Sequence, residues 1–341
     1  MTASHKKILI TGGAGFIGSH LVRLWLAKDP SVHIVNFDKL TYCGDLSRLK
    51  DVESNPRYRF IQGDVCDPAA VEKALEGCTG VVHAAAETHV DRSLIAAKDF
   101  LDSNIYGTYV LLEAARKAKT PKFLTVSTDE VYGSREKGFF TEKDPMHPTS
   151  PYSVSKAAAD MLTLAYAHTH GMHTVVTRGS NTFGPYQYLE KVIPLFVTNA
   201  LSGQSLPLYG DGKQIRNWMY VEDHCTGIMK AFEKGKAGQA YNIATPFYET
   251  NIVLTRSILK ILRKPESLIS PVTDRLGHDR RYAIDPKRLR ALGWRPRHPF
   301  ARSLKSTVLW YRDHSEWWKK IREKSADFKS YYAKAYQGRA S

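Results

Sequence analysis

The sequence predicts an α/β protein: a doubly wound parallel sheet with a smaller, mostly C-terminal lobe. Three observations predict it. Short apolar runs alternate with helix-length stretches over the first half, the pattern of parallel strands joined by crossing helices. A glycine-rich turn links the first strand to the first helix. Beyond Arg178 the alternation stops, and Gly184, Pro185, Pro194, Gly203, Pro207, Gly210 and Gly212 follow in close succession.

The elements read in order as follows. Residues 7–11 form a first strand, and Ile17, Leu21, Val22, Leu24 and Trp25 recur at helical spacing over 17–28. Strands are expected at 32–37, 58–62, 80–84, 123–127 and 174–177, with helices at 68–75, 107–117 and 155–167 between them. Loops and short strands should dominate after Arg178, with a helix over 221–232 and a strand over 240–244 returning to the sheet. The expected division is 1–180 as a nucleotide-binding domain, with a returning segment near 218–245. Residues 181–341 are then mainly a substrate-binding domain, discontinuous in sequence.

Composition narrows the class. The chain has 341 residues, 43% of them apolar, which suits a folded protein. No run of 18 apolar residues occurs, so no membrane span is expected. The opening residues carry neither a continuous apolar core nor a cleavage site, so a cytoplasmic location is expected. Cys43, Cys66, Cys78 and Cys225 are scattered, and His83, His89, His168, His170 and His278 show no zinc spacing, so no metal is expected. The formal charge of +15 suits nucleic acid, an anionic surface or an anionic small substrate, and charge alone does not choose.

Gly12-Gly13-Ala14-Gly15-Phe16-Ile17-Gly18 has glycines at 12, 15 and 18, after a strand and before a helix. Glycines let the turn approach a pyrophosphate, and the helix start at Phe16 and Ile17 offers unpaired N–H groups. The turn therefore points to a dinucleotide on a Rossmann-like sheet. Asp38 ends the second strand, 20 residues after Gly18. It can accept from ribose hydroxyls and would repel a 2′-phosphate, which favours NAD. Asp64 and Val65, ending the third strand, are positioned for the adenine edge.

Tyr152-x-x-x-Lys156 puts both side chains on one helix face. Phenols titrate at about 10, so a base role needs the neighbouring ammonium and a nicotinamide cation to favour the phenolate. Tyr152 would then take a hydroxyl proton while hydride leaves the same carbon, and Lys156 would also hold the nicotinamide ribose. Upstream, Thr128, Asp129 and Glu130 end the fifth strand, at the edge where open parallel sheets bind ligands. Thr128 can donate to an alkoxide or carbonyl. Oxidation alone needs no pair of acids; elimination of water needs one proton removed and one delivered. Read alone, the two acids also suit a solvent-facing or helix-capping loop.

Longer segments are more specific. They include Thr41-Tyr42-x-Gly44, Ala85-Ala86-Glu87-Thr88-His89-Val90-Asp91-Arg92-Ser93, Thr128-Asp129-Glu130-Val131-Tyr132-Gly133, Pro151-Tyr152-Ser153-x-Ser155-Lys156 and Asn181-x-Phe183-Gly184-Pro185-Tyr186-Gln187. With Asp274-Arg275-x-Gly277-His278-Asp279-Arg280-Arg281-Tyr282-Ala283-Ile284-Asp285, they resemble the dTDP-glucose 4,6-dehydratases over nearly the whole chain. The resemblance implies an NAD-dependent cycle on a nucleotide-sugar substrate. Tyr152 takes the 4-hydroxyl proton, Glu130 removes the C5 hydrogen, Asp129 protonates the departing 6-hydroxyl, and hydride returns to C6. Related epimerases carry small hydroxyl residues where the two acids stand, and uronate decarboxylases and GDP-mannose dehydratases resemble Thr-Ser-Glu there. Thr128-Asp129-Glu130 therefore ranks a dehydratase above an epimerase or decarboxylase.

The resemblance also assigns Asn181, Lys191, Arg216 and Arg275 to the diphosphate and nucleoside, His278 and Tyr282 to the same wall, and His89 to the sugar or cofactor. It implies a homodimer joined through the helices at 107–117 and 155–167. Leu189, Asn217, Thr88 and Phe183 depart from the usual proline, aspartate, serine and tyrosine, several of them near the expected nucleotide pocket. The base stays open between thymine and uracil, which differ by one methyl worth ~0.8 kcal/mol if buried; UDP-glucose dehydration is the alternative. Residues 301–341 contain ten Lys/Arg and four Asp/Glu among aromatics. Such a tail would suit nucleic acid or an anionic membrane. Leu304, Val308, Tyr311 and Trp318 at near-helical intervals favour packing on the body with a solvated end, binding neither.

Overall fold

Apolar and β-branched runs become strands in the computed structural model, which describes residues 6–274 and 277–332. These are β1 (Lys6–Thr11), β2 (Val32–Asp38), β3 (Tyr58–Gln62), β4 (Gly80–His83), β5 (Phe123–Thr128) and β6 (Thr174–Gly179). Strands β7 (Asn181–Phe183), β8 (Leu206–Tyr209) and β9 (Ile215–Tyr220) leave this sheet, and β10 (Gln239–Ile243) returns to it. The order is β10-β6-β5-β4-β1-β2-β3, and every neighbouring pair is parallel. Ile8 faces Ile34 on one side and Gly80 on the other, so the winding reverses between β1 and β4. A crevice opens at such a switch point, at the carboxyl ends of the strands. Both β5 and β6 are buried along their whole length, as strands covered on two faces must be.

The first helices are α1 (Phe16–Lys28), α2 (Pro68–Leu75), α3 (Val90–Ile95), α4 (Ala97–Phe100), α5 (Gly107–Lys117) and α6 (Pro151–His170). Then come α7 (Val192–Leu201), α8 (Val221–Lys234), α9 (Asn251–Leu262), α10 (Lys287–Ala291), α11 (Phe300–Asp313), α12 (Ser315–Lys324) and α13 (Ala326–Tyr332). One face of the sheet is covered by α1 and α8, where Trp25 meets Phe232 edge-on at 5.2 Å. The other is covered by α2, α5 and α6, through Val71, Leu111 and Tyr166.

Two local differences from expectation have physical reasons. Helix α6 starts at Pro151 instead of 155, because Ser150 accepts the Ser153 N–H at 3.1 Å and closes a capping box. Proline at the first helical position forfeits no hydrogen bond. The region after Arg178 is richer in helix than expected. Helix α7 buries every residue from Ile193 to Ala200; a helix apolar all round shows no amphipathic stripe to read. It joins α9 and α11–α13 in a second core containing Phe183, Trp218, Val308, Tyr311, Trp318 and Phe328. The small sheets β11-β9-β7 and β12-β8 complete this lobe, with β11 at Tyr248–Thr250 and β12 at Ile269–Val272.

Candidate active site

The switch point opens into a cleft lined by Gly12, Gly15, Phe16, Ile17, Gly18, Asp38, Asp64 and Val65. Thr128, Asp129, Glu130, Tyr152, Lys156, Asn181 and Lys191 line the same cleft. Gly12 has φ +69°, and a Cβ there would stand 2.7 Å from the Ala85 backbone. A Cβ on Gly18 would stand 2.1 Å from the Gly12 carbonyl oxygen. Gly15 caps α1 without a side chain, so the first-turn N–H groups stay open to an anion such as a pyrophosphate.

Asp38 does more than the sequence suggests. Its carboxylate accepts the Ala14 N–H at 2.9 Å and the Leu40 N–H at 2.8 Å, bracing the glycine turn, and burial raises its pKa. Asp64 pairs with Lys39 at 2.6 Å, and Val65 packs on Gly107 at the start of α5. These features fit a dinucleotide: a close backbone approach, an open helix start and an acid where a ribose would lie.

The residues expected to be catalytic lie at the other end, Thr128, Asp129, Tyr152 and Lys156 buried and Glu130 partly exposed. Lys156 Nζ donates to the Val126 carbonyl at 2.6 Å, and burial pulls the ammonium down to about 8. Burial, then the Glu130 carboxylate, pushes the Tyr152 phenol far above its ordinary value. The phenolate is expected to need both the Lys156 ammonium and a nicotinamide cation; in the protein by itself the ammonium is engaged by a strand carbonyl and burial disfavours the phenolate. Asp129 is 2% exposed, with Oδ1 3.4 Å from Thr128 Oγ1 and Oδ2 without a hydrogen-bond partner. Burial, then the like charge of Glu130, pushes its carboxyl up to about 8, against the opposing pull of Arg216. Burial and the neighbouring carboxylate thus bias Asp129 toward its protonated form. The Glu130 N–H donates to Thr128 Oγ1 at 3.2 Å, which fixes the two acids side by side at the strand end.

The expected substrate residues divide. Lys191 donates to the Thr88 carbonyl at 2.8 Å on the cleft wall. His89, Arg216, His278 and Tyr282 do not line the cleft. His89 Nε2 lies 3.3 Å from the Glu190 carbonyl, and burial keeps the ring neutral. Arg216 donates to the Asp279 carbonyl at 2.8 Å and stacks 4.2 Å from the Tyr282 ring centroid. The Tyr282 hydroxyl donates to Asp279 at 2.8 Å, and His278 pairs with Asp274 at 2.6 Å. Arg275 lies outside the described residues.

Three of the four departures from family wording are core positions. Phe183 and Leu189 are fully buried in the second core. Asn217 Nδ2 donates to the carbonyls of Thr245 and Phe247, both at 2.8 Å, which an aspartate cannot do. Of the four, Thr88 lines the cleft.

Several positioning residues escaped sequence reasoning. Asn104, in the wide helical turn Leu101–Tyr106, binds both the N–H and the carbonyl of Glu87, and donates to Ser155 at 2.9 Å. Glu190 is 3% exposed and takes Arg92 at 2.8 Å and the Tyr42 hydroxyl at 3.0 Å. Arg178 binds Asp160 at 2.7 Å and the Tyr132 hydroxyl at 2.5 Å, anchoring the turn that carries the acids. None of these partners has a recurrent spacing in sequence.

Residues 9–307 match the family model for GDP-mannose 4,6 dehydratase. A dTDP-glucose 4,6-dehydratase from Actinoplanes sp. is 48% identical over 92% of this chain and 99% of its own length. The chain belongs to the dTDP-glucose 4,6-dehydratase family. A dTDP-glucose 4,6-dehydratase of Streptomyces venezuelae, solved with NAD, superposes with a TM-score of 0.91 at 45% identity, over 92% of this chain and 99% of that one. The Bacillus anthracis dTDP-glucose 4,6-dehydratase, also in complex with NAD, gives 0.87 at 44% identity, over 93% and 99%.

Proposed function

We propose that the protein binds NAD and catalyses the 4,6-dehydration of dTDP-glucose to the 4-keto-6-deoxy sugar nucleotide. Asp129 is the observation that carries this reading. A buried acid with its carboxyl at about 8, beside Glu130, serves no simple alcohol oxidation but suits delivery of a proton to a departing hydroxyl.

The glycine turn, Asp38 and Lys156 would hold NAD, which would supply the hydride acceptor for C4 oxidation and the hydride donor for reduction at C6. Tyr152 accepts the 4-hydroxyl proton, and Thr128 donates to the oxygen as it becomes a carbonyl. Glu130 removes the C5 proton that the 4-keto group acidifies, and later returns a proton to C5. Asp129 protonates the 6-hydroxyl as it leaves. Lys156 holds the nicotinamide ribose, and Asp38 the adenosine ribose. Residues 1–180 with the return near 218–245 form the cofactor half, and 181–341 chiefly receive the sugar nucleotide, Asn181 and Lys191 meeting its diphosphate.

The deciding experiment incubates the enzyme with dTDP-glucose and UDP-glucose separately and weighs the products. A product lighter by one water, without net NADH, is expected from dTDP-glucose. A C4 epimer of unchanged mass, or carbon dioxide from a uronate, would redirect the assignment.

We also propose a homodimer, supported by exposed apolar residues: Leu101, Tyr106 and Tyr109 share a shallow depression with Leu162 of α6, and Met161 of α6 is exposed. A cytoplasmic site of action is proposed from four free cysteines. Among the described residues no helix is long and apolar enough to cross a membrane.

A further inference from the structure

The C-terminal helices reach back to the cofactor end of the cleft. Trp317, in α12, donates from Nε1 to Asp45 at 3.1 Å, and the Arg48 guanidinium lies 5.5 Å from its ring centroid. Asp45 caps the short turn Leu46–Leu49 by accepting the Ser47 N–H at 2.9 Å. Arg48 is 1% exposed, and its Nη1 donates to two carbonyls, Ala14 at 2.7 Å and Cys43 at 2.5 Å. Ala14 belongs to the glycine turn, and its N–H is already held by Asp38 at 2.9 Å. Thr41, Cys43, Gly44 and Arg48 all line the cleft.

A second thread runs parallel to the first. Tyr186, held at φ +66°, packs 4.6 Å from Trp310 and 5.5 Å from Trp317, and the Arg23 guanidinium of α1 lies 5.3 Å from its ring centroid. The Tyr311 hydroxyl donates to the carbonyl of Gln187, another cleft residue, at 2.6 Å.

A guanidinium buried against carbonyls is expensive to desolvate. Its partners here are the loop that must approach the pyrophosphate and the loop beside the adenosine site. We propose that Arg48 and Trp317 are a positioning pair that ties the C-terminal helices to the glycine turn and sets how tightly NAD is held. The proposal rests on the NAD reading above. Trp317, beyond Arg312, is then part of the cofactor site's support, although among the described residues none beyond Arg312 lines the cleft.

The test compares wild type with Arg48→Met, Trp317→Leu, Trp317→Phe and Arg322→Met. NAD per chain is measured after gel filtration, and the NAD dissociation constant by calorimetry on stripped protein. Arg322 shares α12 with Trp317 but donates to Asn199 at 3.0 Å, away from the cleft, so its loss reports on helix packing alone. Trp317→Leu, which loses one hydrogen bond and one cation–π contact, is expected to weaken NAD roughly tenfold, and Arg48→Met, which loses two hydrogen bonds and the same contact, at least as much. Arg322→Met should lower the melting temperature and leave NAD affinity unchanged. Trp317→Phe keeps a ring but loses the donor to Asp45; it should weaken NAD by a smaller factor, and it decides the matter if the leucine variant does not fold. Unchanged NAD affinity in Arg48→Met and the folded Trp317 variants, or an equal loss in Arg322→Met, would overturn the pair. Wild type that binds no NAD would instead overturn the function proposed above.

Discussion

Asp129 and Glu130 adjoin in sequence, yet their surroundings differ. Asp129 is nearly sealed while Glu130 is partly exposed, so the acid that must arrive protonated is the buried one. Changing Asp129 to Asn should spare C4 oxidation and slow water loss about a hundredfold or more. Changing Glu130 to Gln should suppress deuterium uptake at C5 from solvent. Equal turnover in both variants and wild type would dismiss this division of labour. The raised carboxyl also gives a pH signature. Its pKa goes up from 3.8 to about 8, so over that window the native state binds more protons than the unfolded one. The stability Asp129 contributes is full below 3.8 and is lost as pH rises through about 8. The melting temperature of Asp129→Asn relative to wild type should therefore climb between these limits, and turnover should fall above about 8. A difference in melting temperature that is flat with pH would mean the carboxyl titrates normally.

At the level of elements, two helix starts carry the site. Ser150 caps α6, and Tyr152 and Lys156 ride on its first two turns. Ser150→Ala should cost about 1 kcal/mol in stability. It should reduce kcat more than it raises KM, because the phenol and ammonium lose their fixed origin; an unchanged kcat would show the cap is only structural. The other start is α1. Gly18→Ala would drive a methyl to 2.1 Å from the Gly12 carbonyl oxygen, so the turn must open and NAD retention should collapse. Nucleotide content after gel filtration measures it. Both starts were legible in sequence, one from its glycines and the other from the four-residue spacing of Tyr152 and Lys156. The boundary of α6 was not, because Pro151 reads as a breaker until its position as first helical residue is known.

For the whole molecule, the basic tail proves to be largely a packing element over its described residues. Trp318 and Phe328 are each 4% exposed in the second core. Ending the chain after Arg312 should uncover that core and lower both soluble yield and melting temperature. A truncated protein as stable as full length would show that these helices add nothing. The dimer is tested on the opposite side. Light scattering should give twice 38.4 kDa, and Tyr109→Glu, which buries a charge in the proposed contact, should return the mass to 38.4 kDa. A wild-type monomer at working concentration would reject the dimer.

What the sequence determined by itself is whatever depends on near neighbours. The seven strands of the main sheet, the glycine turn and the Tyr152–Lys156 pair each show a period or spacing within a few residues, and local backbone geometry enforces it. Only the tertiary structure decided the rest. It made α7 a helix, since burial on all sides replaces the stripe that a surface helix displays. It joined Arg216 and Tyr282 to Asp279, and it placed Asn217 in the core. It brought Trp317 onto Arg48 from the far end of the chain. Above all it raised the Asp129 carboxyl, because desolvation is the work of every atom around a group, and most of those atoms come from distant parts of the sequence.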